Sequence, residues 1–378
     1  MRRISKRQSL NFVRWFNLGM LSLSLVPVTS MRWRGDYRKG GGPKTKCMTI
    51  TQQLQDIAGT RCLEDEPMSK HTNFRIGGPV KWFVEVRSVD ELQKILIIAH
   101  ENGLATFVFG GGSNLLASDQ GFEGIVIKIA MRTYDIQRTR VRADAGVLSS
   151  ALARATSNAG LKGLTWAISL PGTVGGGVRG NAGCFGGEMK DRLVHVEVLR
   201  CAPQIFKGAS APFQIIELTK ADLNFGYRES DIKHSDDIIL SATFELEEGD
   251  AHELKSELDD TLMKRKMTQP LDAGSAGCLF KNYEILSDEE LQRLEEKIDL
   301  PSEMKSARRA SAGWLIDKLG LKGTQIGGAK VSDVHGNFVL NTGSATASDV
   351  VQLIALIKSR ARNEFGIQLM EEVQYVGF

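Results

Sequence analysis

The stretch Ser169-Leu170-Pro171-Gly172-Thr173-Val174-Gly175-Gly176-Gly177-Val178-Arg179-Gly180-Asn181-Ala182-Gly183 limits the fold more than any other. Six of its fifteen residues are glycine. Each glycine in a helix interior costs about 1 kcal/mol against alanine, so the run is expected to be loop throughout. Its use is different: without Cβ atoms, backbone N–H groups can approach a ligand closely. Successive N–H groups in such a turn form a concave nest suited to phosphate. Gly175–Gly180 fits the pattern G-x-G-x-x-G, but the segment that follows, Asn181–Gly187, is a poor helix start, so a Rossmann turn is not expected.

A second cluster, Gly110-Gly111-Gly112-Ser113-Asn114, directly follows the apolar run Ala105–Phe109, which reads as a buried strand. Two small-residue loops point to a large ligand carrying a pyrophosphate. The plainer alternative is a pair of tight turns in a mixed domain.

Strand and helix signals alternate without a strict βαβ repeat, so the fold class is α+β. Strands are expected at 80–87, 105–109, 124–129, 141–146, 193–199, 214–218, 238–246 and 337–340, and at the end from 367 to 376. Helices are expected at 88–102, opened by a Ser88–Glu91 capping box, and at 148–158, 251–267, 288–298, 307–319 and 347–365. Residues 48 to 75 read only as a lead-in. A boundary near Gln269-Pro270 separates a region covering 70–268 from one covering 269–378.

Residues 1–46 carry seven Arg and four Lys against a single acid, Asp36, although the whole chain is only +3. The remainder is therefore mildly acidic, and no nucleic-acid partner is expected. The apolar stretch 18–28 is too short to span a bilayer, so no membrane partner is expected either. Residues 1–47 have the character of a targeting segment, an organellar transit peptide ahead of a secretory signal, which places the protein in a plastid. If Met48 is the true start, the location is cytoplasmic. Five cysteines without C-x-x-C spacing and six scattered histidines argue against a disulfide framework or a metal site.

Four candidate chemical residues stand out weakly. Arg228, in Asn224–Ser230, sits beside Tyr227, and an Arg fork can clasp a carboxylate; a surface Arg paired with Glu229 is the alternative. Cys278, in Ser275–Asn282, is a lone thiol that could be either apolar filler or a proton source. Glu371 and Glu372 fall on opposite faces of the expected final strand.

Taken in order, these segments resemble the UDP-N-acetylenolpyruvoylglucosamine reductase family (MurB) over about residues 70–378. The resemblance rests on His71–Gly78, Gly110–Leu116, Leu170–Gly183, Phe225–Ser230, Ala276–Asn282, Ala312–Ile316 and Gly327–Thr346. The interval from Arg228 to Cys278 matches the shorter form of the family. The resemblance implies an FAD-binding region of the vanillyl-alcohol-oxidase type in two subdomains, followed by a C-terminal α+β substrate domain. It implies noncovalent FAD held by Gly110, Gly111, Gly112, Ser113, Asn114, Gly172, Thr173, Gly175, Gly176, Asn181, Ala182 and Gly183. NADPH would be the co-substrate, and a UDP-sugar enolpyruvyl ether would meet Tyr227, Lys281 and Asn282. Arg228 and a protonated Glu372 would stabilise the enolate, and Cys278 would supply the proton where the family commonly has Ser. Tyr283 stands where proline is usual, and Met370-Glu371 replaces Glu-Pro. A monomer is expected. The competing functions are another FAD-linked sugar or alcohol oxidase and a non-catalytic flavin-binding module.

Overall fold

The computed structural model describes residues 48–201, 213–270 and 272–378. The leader 1–47, and with it Cys47, lies outside the described residues.

The first layer is a four-stranded sheet in the spatial order Cys62–Pro67, Pro79–Val86, Phe122–Ile129, Ala105–Phe109. Its last three strands run parallel, and the first is an antiparallel edge. This edge strand and the helix Ile50–Ala58 occupy the stretch expected to be a mere lead-in. The helix is announced by Thr49, whose side chain caps Gln52 N–H while Gln52 returns the bond. A capping box of this kind is readable in Thr-x-x-Gln.

Helix Val89–Glu101 covers this sheet. Leu92, Ile95, Leu96 and Ala99 recur at helical spacing and are buried. Burying one such large aliphatic side chain stabilises the layer by about 1.5–3 kcal/mol, so Ile95→Asp would uncouple the helix. Ser88 caps Glu91 N–H as expected. The Glu91 carboxylate does not complete the box. It takes Arg61 bidentately at 2.7 and 2.8 Å and also the Arg87 N–H at 2.7 Å; a charged fork outbids a single cap bond.

The second layer is an antiparallel five-stranded sheet ordered Phe213–Thr219, Leu193–Cys201, Ile238–Glu245, Arg140–Asp144, Tyr134–Gln137. Ile238–Phe244 is buried on both faces and is apolar except for Ser241 and Thr243. These two layers share one core with the helices Ser149–Asn158 and Ala251–Thr268.

One expectation fails at the chain's most constrained stretch. Val174–Arg179 is a short helix, not loop. Val174 and Val178 are fully buried one turn apart. A Cβ on Gly175 would stand 2.7 Å from Ala145 Cβ, and one on Gly177 would stand 2.6 Å from Met189 Cε. Tertiary packing thus demands glycine inside a helix and overrides its poor propensity.

Residues from about 274 onward form a second core around helix Ala347–Phe365, closed by left-handed Gly366 as expected. The helix expected at 307–319 is split. Arg309–Ala310 pairs with Tyr283–Glu284, and Ser311 then caps a shorter helix, Ala312–Lys318. The expected last strand shrinks to Gln374–Val376. The reason is a change of neighbour. Lys281 N–H bonds Met370 O and Glu372 N–H bonds Leu279 O, whereas Gln374 N–H bonds Asn114 O. Gln374–Val376 then runs parallel to Leu115–Ala117 of the first region. No continuous ladder survives such a switch.

Three further ties join the two regions. Asp119 accepts from Ala347 N–H and Ser348 N–H at the start of the long helix. Asn341 Nδ2 donates to Phe74 O, and Ser275 N–H to Asn73 O. The His71–Gly78 segment, prominent in the sequence, is therefore a joint.

Candidate active site

A cavity of about 530 Å³ opens where the two regions meet. One end is made of backbone. Gly111 and Gly172 are so close that a Cβ on Gly111 would stand 2.7 Å from Gly172 Cα, and a Cβ on Gly110 would overlap Thr173 Oγ1. Gly172 has φ +101°, a conformation open to glycine. Ser113 Oγ donates to Pro171 O across the two loops. Gly176 differs from these packed glycines: its Cβ direction meets nothing nearer than 3.7 Å and faces the cavity. Thr173 Oγ1 and Asn114 Oδ1 are buried without a hydrogen-bond partner among the described residues. Buried polar atoms are normally satisfied, so at this end they mark where a ligand's polar groups belong.

The other end is made of side chains from three distant segments. Arg228 sits in a tight turn closed by a Gly226–Glu229 bridge, with φ +57°. Its Nε donates to Glu372 Oε1 at 3.0 Å, and its other nitrogens donate to the carbonyls of Asn181 and Gly183. Two guanidinium groups lie over the Tyr227 ring, Arg309 at 4.1 Å and Arg228 at 5.2 Å from its centre. Its hydroxyl accepts from Asn282 N–H at 3.3 Å, which leaves the phenolic hydrogen free to donate. Burial raises the Tyr227 phenol above its ordinary range, so it keeps that hydrogen. Asn282 Oδ1 in turn receives Ala312 N–H at the head of its helix.

Burial also raises the Glu372 carboxyl above the usual carboxylate range, against the opposing pull of Arg228. Burial, and then the nearby Glu372 charge, push the Cys278 thiol up to about 12. Glu371 turns the other way and pairs with Lys358 at 2.8 Å. Of the two glutamates, only Glu372 lines the cavity. Burial works against ionisation of Glu229 too, yet the Lys281 hydrogen bond and the charges of Lys233 and Lys281 hold its carboxyl down at about 2.

Gly110–Asn114, Gly172, Thr173, Gly175, Gly176, Ala182, Gly183, Tyr227, Arg228, Cys278, Asn282 and Glu372 all line this cavity. Two residues singled out in the sequence do not. Asn181 is fully buried beneath it, where Nδ2 donates to Gly226 O at 2.8 Å and to Glu188 at 3.0 Å; it props the Arg228 turn. Lys281 is engaged with Glu229. Sequence reasoning missed Arg179, Lys233, Arg265 and Asn337 among the lining residues. Lys233 had a signal, an i,i+4 pairing with Glu229. Arg265 had none, because it belongs to a helix that is charged along most of its length.

Residues 269–376 match the C-terminal domain of UDP-N-acetylenolpyruvoylglucosamine reductase, and residues 80–206 match an FAD-binding domain. The UDP-N-acetylenolpyruvoylglucosamine reductase of Clostridioides difficile is 38% identical over 315 residues, covering 83% of this chain and 92% of the relative. This chain belongs to the UDP-N-acetylenolpyruvoylglucosamine reductase family. The Synechococcus sp. (strain CC9311) member is 37% identical over 320 residues, with 83% and 93% covered. The solved structure of the Thermus caldophilus reductase aligns with a TM-score of 0.63 at 30% identity, over 83% of this chain and 98% of that one. Among the described residues no helix is long and apolar enough to cross a membrane, and no three His, Cys, Asp or Glu side chains gather as a metal site.

Proposed function

We propose that this protein reduces the enolpyruvyl ether of UDP-N-acetylglucosamine to UDP-N-acetylmuramate in peptidoglycan precursor synthesis, with noncovalent FAD in the cavity and NADPH as reductant. The observation that carries the assignment is the meeting of Arg228, Cys278 and Glu372 at one end of a cavity whose other end is glycine backbone. FAD fits that backbone end. Its pyrophosphate suits a surface free of Cβ atoms, where Thr173 Oγ1 has a hydrogen to give.

FAD held there would supply hydride transfer, from NADPH to the alkene carbon remote from the substrate carboxylate. The residues of this chain do the rest. Arg228, its guanidinium plane fixed by two carbonyls, holds the substrate carboxylate and the charge that develops on it. Glu372, whose carboxyl burial raises above the usual carboxylate range, would in its protonated form donate a hydrogen bond to the same oxygens. The Cys278 Sγ holds its proton across the neutral range and delivers it to the carbon bearing the carboxylate. Tyr227 and Asn282 bind the rest of the sugar nucleotide, and Lys281 orients Glu229 at the rim. The enzyme acts as a monomer, and residues 1–47 direct it into a plastid. The acid-poor, basic composition of that segment supports the latter reading.

The assignment is tested by the visible spectrum under anaerobic conditions. The purified protein is expected to be yellow, to bleach with NADPH, and to recover colour only when the enolpyruvyl sugar nucleotide is added. A folded protein that carries no flavin, or one that recolours with air but never with that substrate, overturns it. A fluorescent fusion of residues 1–60 that stays in the cytosol removes the plastid assignment.

A further inference from the structure

Arg228 holds the substrate carboxylate in the function proposed above, yet its backbone stands where a side chain is unwelcome. Its φ is +57°, the left-handed region in which residues bearing a Cβ are uncommon. Such a residue persists only where its surroundings over-determine it. The turn closes on itself through Gly226 N–H to Glu229 O at 3.1 Å and Glu229 N–H to Gly226 O at 3.4 Å. Asn181 Nδ2 holds Gly226 O as well. None of these bonds uses the Arg228 carbonyl. Lys233 Nζ donates to it at 3.0 Å, and among the described residues no backbone N–H reaches it.

Lys233 is built as a strut. It lies in the short helix Asp231–His234, which Ile232 anchors in the core. Its N–H bonds Ser230 O at 3.0 Å, and its carbonyl accepts from Arg179 Nη2 at 3.0 Å. Ser230 Oγ donates back to Arg179 O at 2.6 Å, so the segment is tied at both ends to the helix Val174–Arg179. The Lys233 side chain is only 14% exposed. Its ammonium also donates to Glu229 Oε1 at 3.2 Å, but that bond is shared. Glu229 keeps Lys281 and His234 if Lys233 is lost. The bond to the Arg228 carbonyl has no such substitute. A carbonyl stripped of its partner regains a bond by turning toward water. Here that rotation moves the Arg228 backbone, and with it the guanidinium that meets Glu372 at 3.0 Å.

We propose that Lys233 is a positioning residue for the reduction, holding Arg228 in its left-handed turn so that the guanidinium is aimed at the substrate carboxylate before the substrate arrives. Lys233 acts through the Arg228 carbonyl and not on the nucleotide. Its loss is therefore felt by ligands that carry the carboxylate and not by those that lack it. This inference rests on the carboxylate-binding role given to Arg228 above.

The test uses the FAD-loaded full chain with Lys233→Met, which keeps an apolar stem and removes the ammonium. Anaerobic reoxidation of the reduced flavin by the enolpyruvyl substrate is expected to slow about tenfold. Binding is read from the shift of the flavin spectrum on titration with two nucleotides. UDP-N-acetylmuramate carries a carboxylate, and its affinity is expected to fall about tenfold. UDP-N-acetylglucosamine carries none, and its affinity is expected to change by less than about twofold. In an Arg228→Ala background, Lys233→Met is expected to weaken UDP-N-acetylmuramate by less than about twofold more. An unchanged reoxidation rate or an unchanged affinity for UDP-N-acetylmuramate overturns the proposal. An equal loss for both nucleotides overturns it too, since that marks a lysine that holds the nucleotide itself or a damaged fold. So does an undiminished loss in the Arg228→Ala background. Should Lys233→Met not fold, the same comparison is made with Lys233→Gln. An Arg228→Ala variant that binds UDP-N-acetylmuramate as tightly as the wild-type protein is a separate failure, that of the carboxylate-binding role itself.

Discussion

The two ends of the cavity solve the problem of holding a ligand by opposite means. At the glycine end, the surface is backbone from two neighbouring loops, and side chains are kept out by contacts as tight as Gly111 against Gly172. At the charged end, the surface is side chains from residues 228, 278 and 372, with Arg228 and Glu372 hydrogen-bonded to each other. The first end can bind but offers almost nothing that titrates. The second can move charge and protons but would bind little by itself. Binding and chemistry are therefore expected to fail separately.

The largest effect that sharpens this contrast is at Cys278. Cys278→Ala is expected to lower the rate of flavin reoxidation by substrate at least a hundredfold. FAD content and bleaching by NADPH stay near wild-type, and Cys278→Ser restores substantial turnover. Stopped-flow spectroscopy of the two half-reactions measures both; an equal loss in both would break the contrast.

The next is at Gly176, the glycine with room around it. Gly176→Ala replaces a helical glycine and is expected to stabilise the flavin-free protein by up to about 1 kcal/mol. The added methyl points into the cavity, so FAD affinity is expected to fall about tenfold. Calorimetry of the apoprotein and a flavin titration read the two opposing signs, and a variant that gains stability and keeps its affinity would show that FAD does not lie against this residue.

The smallest is at the rim. Glu229 is depressed to about 2 in the folded protein, against a usual value near ~4.3. Its ion pairs therefore contribute stability that is fully present above the unfolded value and is lost as pH falls toward 2. The carboxylate is partly exposed, so solvent screening limits the effect of Glu229→Gln to about 1 kcal/mol or less at pH 7. Urea melts at pH 7 and pH 3 are expected to show that difference shrinking in acid.

Much of this was legible in the residues. Gly366 bounded the long helix correctly because its signal is local. The alternation of Glu371 and Glu372 separated the buried ion pair from the site even though the strand itself was shorter than expected, since extended backbone alternates its side chains whether or not it is paired. What was not legible depended on distant partners. The helix at Val174–Arg179 exists because Ala145 and Met189 close over its glycines. Asn181 looked like a cofactor residue because it lies in the glycine stretch, yet it serves Gly226, 45 positions away. Lys281 sits in the right motif, but its charge is spent on Glu229.

The chain's last described pairing has a wider consequence. Among the described residues the three-residue run of Gln374–Val376 beside Leu115–Ala117 is the one ladder between the two regions; besides it, Phe74, Ile76 and Leu116 pack into the second core, and single hydrogen bonds tie the regions around a hollow. A molecule that fills the hollow touches both cores at once and acts as mortar between them. Since only the assembled form offers both walls, every increment of occupancy weights the population toward the closed, working arrangement. The cofactor is thus part of the masonry of this protein as well as its reagent.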